Sequence, residues 1–155
     1  MVDMWRLLKW LLAAGAVLFV VIQLVPYGRD HDNPPVLAEP AWDSPETREL
    51  AVRACFDCHS NETSWAWYSN IAPISWLGQR DVNEGRAELN WSEWGPESEG
   101  DESAETVLEG SMPPRKYTLL HPEARLTDQE IASLAAGLEA TFGSEDHGGQ
   151  SGEDD

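Results

Sequence analysis

The chain has only two cysteines. They stand three residues apart, with a histidine directly after the second: Cys55-Phe56-Asp57-Cys58-His59. This spacing constrains the fold more than any other feature. On a helical turn, positions i and i+3 face the same way, so both thiols reach one object together. His59 can then turn its ring toward that same object. C-x-x-C-H is the attachment signature of a c-type haem. The two thiols suit thioether bonds to the two vinyl groups of one porphyrin, and the histidine suits its iron. The expected cofactor is one covalent haem c, bonded to Cys55 and Cys58 and ligated by His59.

Other uses of the motif fit less well. A zinc site needs about four nitrogen or sulfur ligands, usually in paired clusters. Here the remaining histidines, His31, His121 and His147, are scattered. A dithiol redox site belongs in a βαβ context, and no strand-rich pattern flanks the motif. An ordinary disulfide between the two cysteines is the blandest alternative.

Residues 5–25, WRLLKWLLAAGAVLFVVIQLV, form the second constraint. A helix of about 20 apolar residues spans a bilayer, and this stretch reaches that length if Arg6 and Lys9 snorkel. Both charges lie at its N-terminal end and acids dominate after it, which places Met1 in the cytoplasm and the rest outside. Trp5 and Trp10 suit the interface. A cleaved signal peptide would have the same orientation. No clear A-x-A site follows the apolar run, so an uncleaved single-pass anchor over residues 1–25 is expected. The domain is then periplasmic or otherwise extracytoplasmic.

Four prolines mark residues 26–43 as an extended linker that holds the domain off the membrane. His31 lies in it as a weak candidate ligand. The haem-binding domain is expected over residues 44–143. Its first helix starts at Ser44, an N-cap followed by Pro45 and Glu46, and carries Leu50, Ala51, Ala54 and Cys58 on one face. Trp42 can pack back on its first turn. A second helix is expected from Pro73 to about Ala87, and a short one from Ser103. In the last helix Thr127 and Glu130 make a capping box. Ile131, Leu134, Ala135, Leu138 and Phe142 form its apolar stripe, and Gly143 stops it. Residues 144–155 are an acidic, glycine-rich tail, expected to be disordered with His147 free.

Several residues are candidates for the haem pocket. Trp65, Trp67 and Tyr68 carry N–H and O–H groups suited to haem propionates, although packing serves equally well for each. Pro73 is a candidate to hold the Nδ1 proton of His59 with its carbonyl. Arg80 and Arg86 suit a propionate or a surface ion pair. The second iron ligand is expected to be Met112, in the proline-flanked stretch Gly110-Ser111-Met112-Pro113-Pro114. A Met/His pair gives the raised potential of electron-transfer cytochromes. His121 is the alternative distal ligand and would give His/His ligation.

The net charge of −18 leaves no basic patch for phosphates, so nucleic acid is not an expected partner. The acidity is either a solvated surface or a field that steers basic redox partners. Eight tryptophans give a small domain aromatic area to wrap a porphyrin. No triad, phosphate loop or paired carboxylate motif stands out, and no enzyme activity is expected.

The segments RDHDNPPV, ACFDCHSNETSWAWYSNIAPISWL, NWSEW, MPP and YTLLHPEARLTDQE, with the final helix, occur in that order. Over residues 26–142 the chain resembles the bacterial haem-binding domain family: small, usually membrane-anchored proteins with one C-x-x-C-H. The resemblance implies an all-α, cytochrome-c-like domain in which Cys55 and Cys58 bind haem covalently and His59 ligates iron. It implies little about physiological role. The acidic insert near residues 96–105 and the acidic tail depart from the pattern. The expected function is one-electron transfer with a soluble or membrane-bound redox partner. A haem-based gas or redox sensor with an open sixth position is the alternative, and a haem peroxidase a more distant one.

Overall fold

The apolar run near the N-terminus folds as a single helix, α1 (Met4–Ile22), capped by the Asp3 carboxylate. Its 19 residues at ~1.5 Å each give about 28 Å, close to the ~30 Å of a bilayer's hydrocarbon core. None of its side chains is buried by protein. The helix is therefore long and apolar enough to cross a membrane. The structure, a computed structural model, describes residues 3–143. Met1 and the acidic tail with His147 lie outside them.

Six further helices follow: α2 (Pro45–Ala54), α3 (Phe56–His59), α4 (Ile74–Glu88), α5 (Ser103–Leu108), α6 (Arg115–Leu120) and α7 (Asp128–Phe142). Single 3₁₀ turns stand at Trp67–Asn70 and Pro122–Ala124. Among the described residues there is no strand, only an isolated bridge between Ala38 and Glu93. The chain is all-α, as its patterning implies.

Local chemistry sets the helix ends. Ser44 Oγ accepts from the Thr47 amide at 3.2 Å and starts α2. Thr127 and Glu130 form the reciprocal box that starts α7, and Gly143 ends it at φ +79°, where a side chain would be strained. The first domain helix does not run through the motif. It ends at Ala54, Cys55 leaves helical geometry at φ −128°, and α3 begins as a separate turn. Helix α6 was not legible in advance, since none of its residues is buried and it shows no apolar stripe.

The core is built from Leu50 and Ala51 of α2, Phe56 of α3, Trp91, Val107 of α5, and Leu134, Ala135 and Leu138 of α7. Helix α7 packs on both α2 and α5. Its contact with α2 needs Gly137: a Cβ there would lie 2.0 Å from the Thr47 hydroxyl oxygen. Trp42 does more than cover the first turn of α2. Its ring meets Trp91 edge-on at 5.1 Å and packs on Phe56 and Phe142.

Residues 26–43 are irregular, but they do not hang free of the domain. Leu37 and Ala38 donate to the Ser92 carbonyl at 2.8 and 3.2 Å, and Trp94 N donates to Ala38 O at 3.0 Å. Asn61 Nδ2 donates to Pro35 O. Arg86 donates to the Asp32 and Ser60 carbonyls, to Asn33 Oδ1 and to Thr63 Oγ1. Arg86 is thus a clamp on loop backbone, where a propionate or surface ion pair was expected. Arg80 does form a surface ion pair, with Glu84.

Candidate haem site

Cys55 and Cys58 sit on the single turn of α3 and the residue before it. The amides of Cys58 and His59 both donate to the Cys55 carbonyl, at 3.1 and 3.0 Å. The turn therefore brings the two cysteines together at its start. Both are free thiols. Burial raises Cys55 to about 12 and Cys58 to about 11, with the Asp57 and Asp81 carboxylates adding to the rise at Cys58. They stay protonated at neutral pH. An attacking redox thiol works as thiolate, and this environment opposes that form. No group of three or more His, Cys, Asp or Glu side chains among the described residues is placed to hold a metal ion.

Helix α4 lies directly on this turn. A Cβ at Gly85 would lie 2.5 Å from the Cys58 carbonyl oxygen and 2.9 Å from its Cβ. Only glycine permits that approach, and the approach brings the C-terminal end of α4 beside His59. Nδ1 of His59 donates to the Leu89 carbonyl at 3.0 Å. Burial holds the imidazole below its ordinary pKa, so the ring is neutral at pH 7. The Nδ1–Leu89 bond leaves Nε2 as the ring nitrogen without a proton, and the Gly85 carbonyl also approaches the ring. A neutral ring fixed through Nδ1 with Nε2 unprotonated is the form that ligates a metal.

The Leu89 carbonyl replaces Pro73 in this role. Pro73 stands at the start of α4, and its carbonyl is taken by the amides of Trp76 and Leu77 at 3.1 and 3.2 Å. Carbonyls at a helix's C-terminal end lack intrahelical partners, so the far end of the same helix supplies the acceptor. No side-chain pattern identifies that group from the sequence. Only the position of Leu89 after a helix end hints at it.

The aromatic loop divides. Trp65 donates Nε1 to Asn33 Oδ1 at 3.3 Å and stacks on His31 at 4.7 Å. Its N–H is committed to the linker. His31 Nε2 donates to the Ser69 carbonyl at 3.1 Å, so that nitrogen carries a proton and is not placed as an iron ligand. Trp67 is exposed. Tyr68 donates its hydroxyl to His121 Nε2, and burial keeps the phenol protonated.

Met112 and His121 bracket α6. The amides of Ser111 and Met112 both donate to the Thr106 carbonyl, at 3.1 and 3.2 Å, tying this loop to α5. The Met112 side chain is 38% exposed. His121 stacks on Tyr117 at 4.2 Å. Its Nδ1 donates to Glu123 Oε1 at 2.9 Å, and its Nε2 accepts from Tyr68. Both ring nitrogens are engaged.

Asp57, inside the motif, links these parts, and its role was not anticipated. Oδ2 accepts from the Tyr117 hydroxyl at 2.7 Å. Oδ1 accepts from the Ser64 amide, and the Asp57 carbonyl accepts from Thr63 Oγ1, each at 2.8 Å. The motif turn thus holds both the aromatic loop and α6.

This donor set fits a haem: two protonated thiols on one turn and a neutral imidazole with an unprotonated Nε2. Apolar residues Trp67, Leu119 and Leu120 are exposed on the elements that meet at His121. Next to His59, the Trp91 Nε1 is buried without a partner. Searches among curated proteins and among solved structures found no match. The profile of the family described as haem-binding domain matches residues 17–140, which takes in the motif, the anchoring loop contacts and most of α7. The chain belongs to the haem-binding domain family.

Proposed function

We propose that this haem-binding protein is a membrane-anchored c-type cytochrome that carries single electrons. In this reading Cys55 and Cys58 hold the porphyrin by thioether bonds, and His59 ligates iron through Nε2. Met112 supplies the second ligand. The observation that carries the proposal is the state of His59: neutral, held at Nδ1 by Leu89, and unprotonated at Nε2 beside two protonated thiols. The packing of α7 on α2, the segment leading into the motif, agrees with a cytochrome-c-like domain.

When bound, haem supplies a one-electron Fe(II)/Fe(III) couple. The chain's own residues set how that couple is used. Leu89 fixes the His59 ring, so ligation needs no reorientation. Gly85 keeps α4 pressed on the motif. Asp57, through Tyr117, positions α6 and the loop before it. Met112 is favoured over His121 because both His121 nitrogens already hold partners. A Met/His pair suits electron transfer.

Arg6 and Lys9 at the N-terminal end of the apolar run, with acids after it, support a domain on the outer side of the cytoplasmic membrane. The partner is a redox protein, either basic and steered by the negative field or itself in the membrane.

Absorbance spectra of the full chain, produced in a host that attaches c-type haem, test this. The expected result is a low-spin protein with a weak ferric sulfur-to-iron band and no rapid CO binding when reduced. A low-spin spectrum without that band assigns His121 as ligand. A high-spin spectrum with fast CO binding rejects the carrier in favour of a gas sensor.

A further inference from the structure

The chain leaves α1 through Gln23, and one amide side chain makes the joint with the domain. Gln23 Nε2 donates to the Ala72 carbonyl at 3.0 Å, and its Oε1 accepts from the Ala72 amide at 2.9 Å. Arg29 donates to the same Oε1 at 3.1 Å. Gly28, at φ +77°, passes so close to α4 that a Cβ would lie 2.2 Å from the Ser75 carbonyl oxygen. Residues 23–29 therefore fold back on the first turn of α4. They are not slack chain leading away from the helix.

This joint decides what stands at the membrane surface. The inference rests on the reading that α1 crosses the bilayer. A helix of about 28 Å then fills the hydrocarbon core, and Gln23 marks its boundary. Whatever bonds to Gln23 stands at the same level. There the surface is apolar: Leu24, Ile74 and Leu77 are exposed. Beside them Val25, Tyr27, Trp76, Leu77 and Arg80 line a groove of about 440 Å³. Aromatic rings with an arginine at the edge are what the interfacial layer accepts. These exposed apolar side chains stand where α1 meets the domain, beside that groove.

We propose that the start of α4 and this groove are a membrane seat, occupied by phospholipid of the bilayer that α1 crosses. Acyl chains pack on Val25, Tyr27 and Leu77. The phosphate lies within reach of Arg80, which pairs with Glu84 at 2.7 Å on the rim. The haem domain then rests on the bilayer in a fixed orientation, and the proline-rich residues run along the domain without spacing it from the membrane.

The test uses the haem-loaded full chain in phosphatidylcholine nanodiscs. A photoreactive p-benzoylphenylalanine replaces one residue at a time: Leu18 in α1, Leu77 in the seat, or Leu108, exposed on α5. Lipid adducts are counted by mass after illumination. The proposal expects adducts at Leu18 and at Leu77, with the Leu77 yield several-fold above Leu108. Adducts at Leu18 with equal, low yields at Leu77 and Leu108 overturn the seat and leave the anchor standing. Absence of adducts at Leu18 overturns the anchor, and the seat with it. Protein dimers in place of lipid adducts at Leu77 overturn the seat in favour of a second copy of the chain.

Discussion

The two sides of the candidate haem site are built differently. On the motif side, Cys58 is pressed against Gly85, His59 is fixed by Leu89, and Trp91 N donates to the His59 carbonyl at 2.9 Å. Phe56 of the same turn is buried in the core. On the Met112 side, α6 buries no residue. It is held by the Tyr117–Asp57 hydrogen bond, by an exposed Lys116–Asp81 ion pair, and by Arg125 donating to the Thr118 carbonyl. The polypeptide alone specifies the first side. The second side has exposed apolar groups, Leu119 and Leu120, and few ties. Under the proposed function, rigidity at the motif would hold His59 constant and leave Met112 as the ligand open to tuning.

The difference can be broken or sharpened by substitution. The largest effect is expected at Gly85→Val, which drives side-chain atoms into the Cys58 backbone. Overpacking typically costs about 1–3 kcal/mol, and here it also displaces α4 from His59. Thermal unfolding should fall by on the order of 10 °C, with poor haem incorporation. Met112→Ala should leave folding and haem content nearly unchanged, yet convert the spectrum to one that binds CO. If Met112→Ala unfolds the protein as readily as Gly85→Val, the two sides are not unequal.

Tyr117→Phe should act more mildly. It removes a hydroxyl donated to a carboxylate, a bond worth about 1.5–3 kcal/mol at most. Most of the loss should appear as faster local opening of α6, read by hydrogen exchange over residues 115–120. The amides of α2 should keep their protection. Equal loosening of both would place Tyr117 in the common core.

The smallest effect lies away from both sides, at Glu130. The Thr127 amide, then Arg53, lower its carboxyl from 4.5 to about 2. A group lowered on folding stabilises above its unfolded value and loses that contribution as pH falls through the folded one. Stability should therefore decline between about pH 4.5 and 2. Glu130→Gln should flatten that decline without altering the haem spectrum. An unchanged acid transition would show that the box and the Arg53 pair contribute nothing to it.

What could be read in the sequence was what is local. The capping box of α7 lies within four residues, and its apolar stripe repeats within one helix, so both were legible. The motif was legible because its chemistry is set by spacing along one turn. Contacts between distant segments were not. Leu89 acts through its backbone, which leaves no residue signature, and Pro73 looked suitable only until its carbonyl was needed by α4. Asp57 and Tyr117 are ordinary residues until the fold joins them. The prolines of residues 26–43 correctly implied an irregular path. They say nothing of Asn61 and Arg86, which hold that path against the domain from elsewhere in the chain.

The central claim is a covalent haem on Cys55 and Cys58. Its most direct test is acidified-acetone extraction of the full chain followed by mass measurement under denaturing conditions. The account predicts that haem stays with the polypeptide, and that Cys55→Ser with Cys58→Ser releases it to the solvent. Haem extracted from the unaltered chain would contradict the account, and would leave a haem-binding domain whose cysteines serve another purpose.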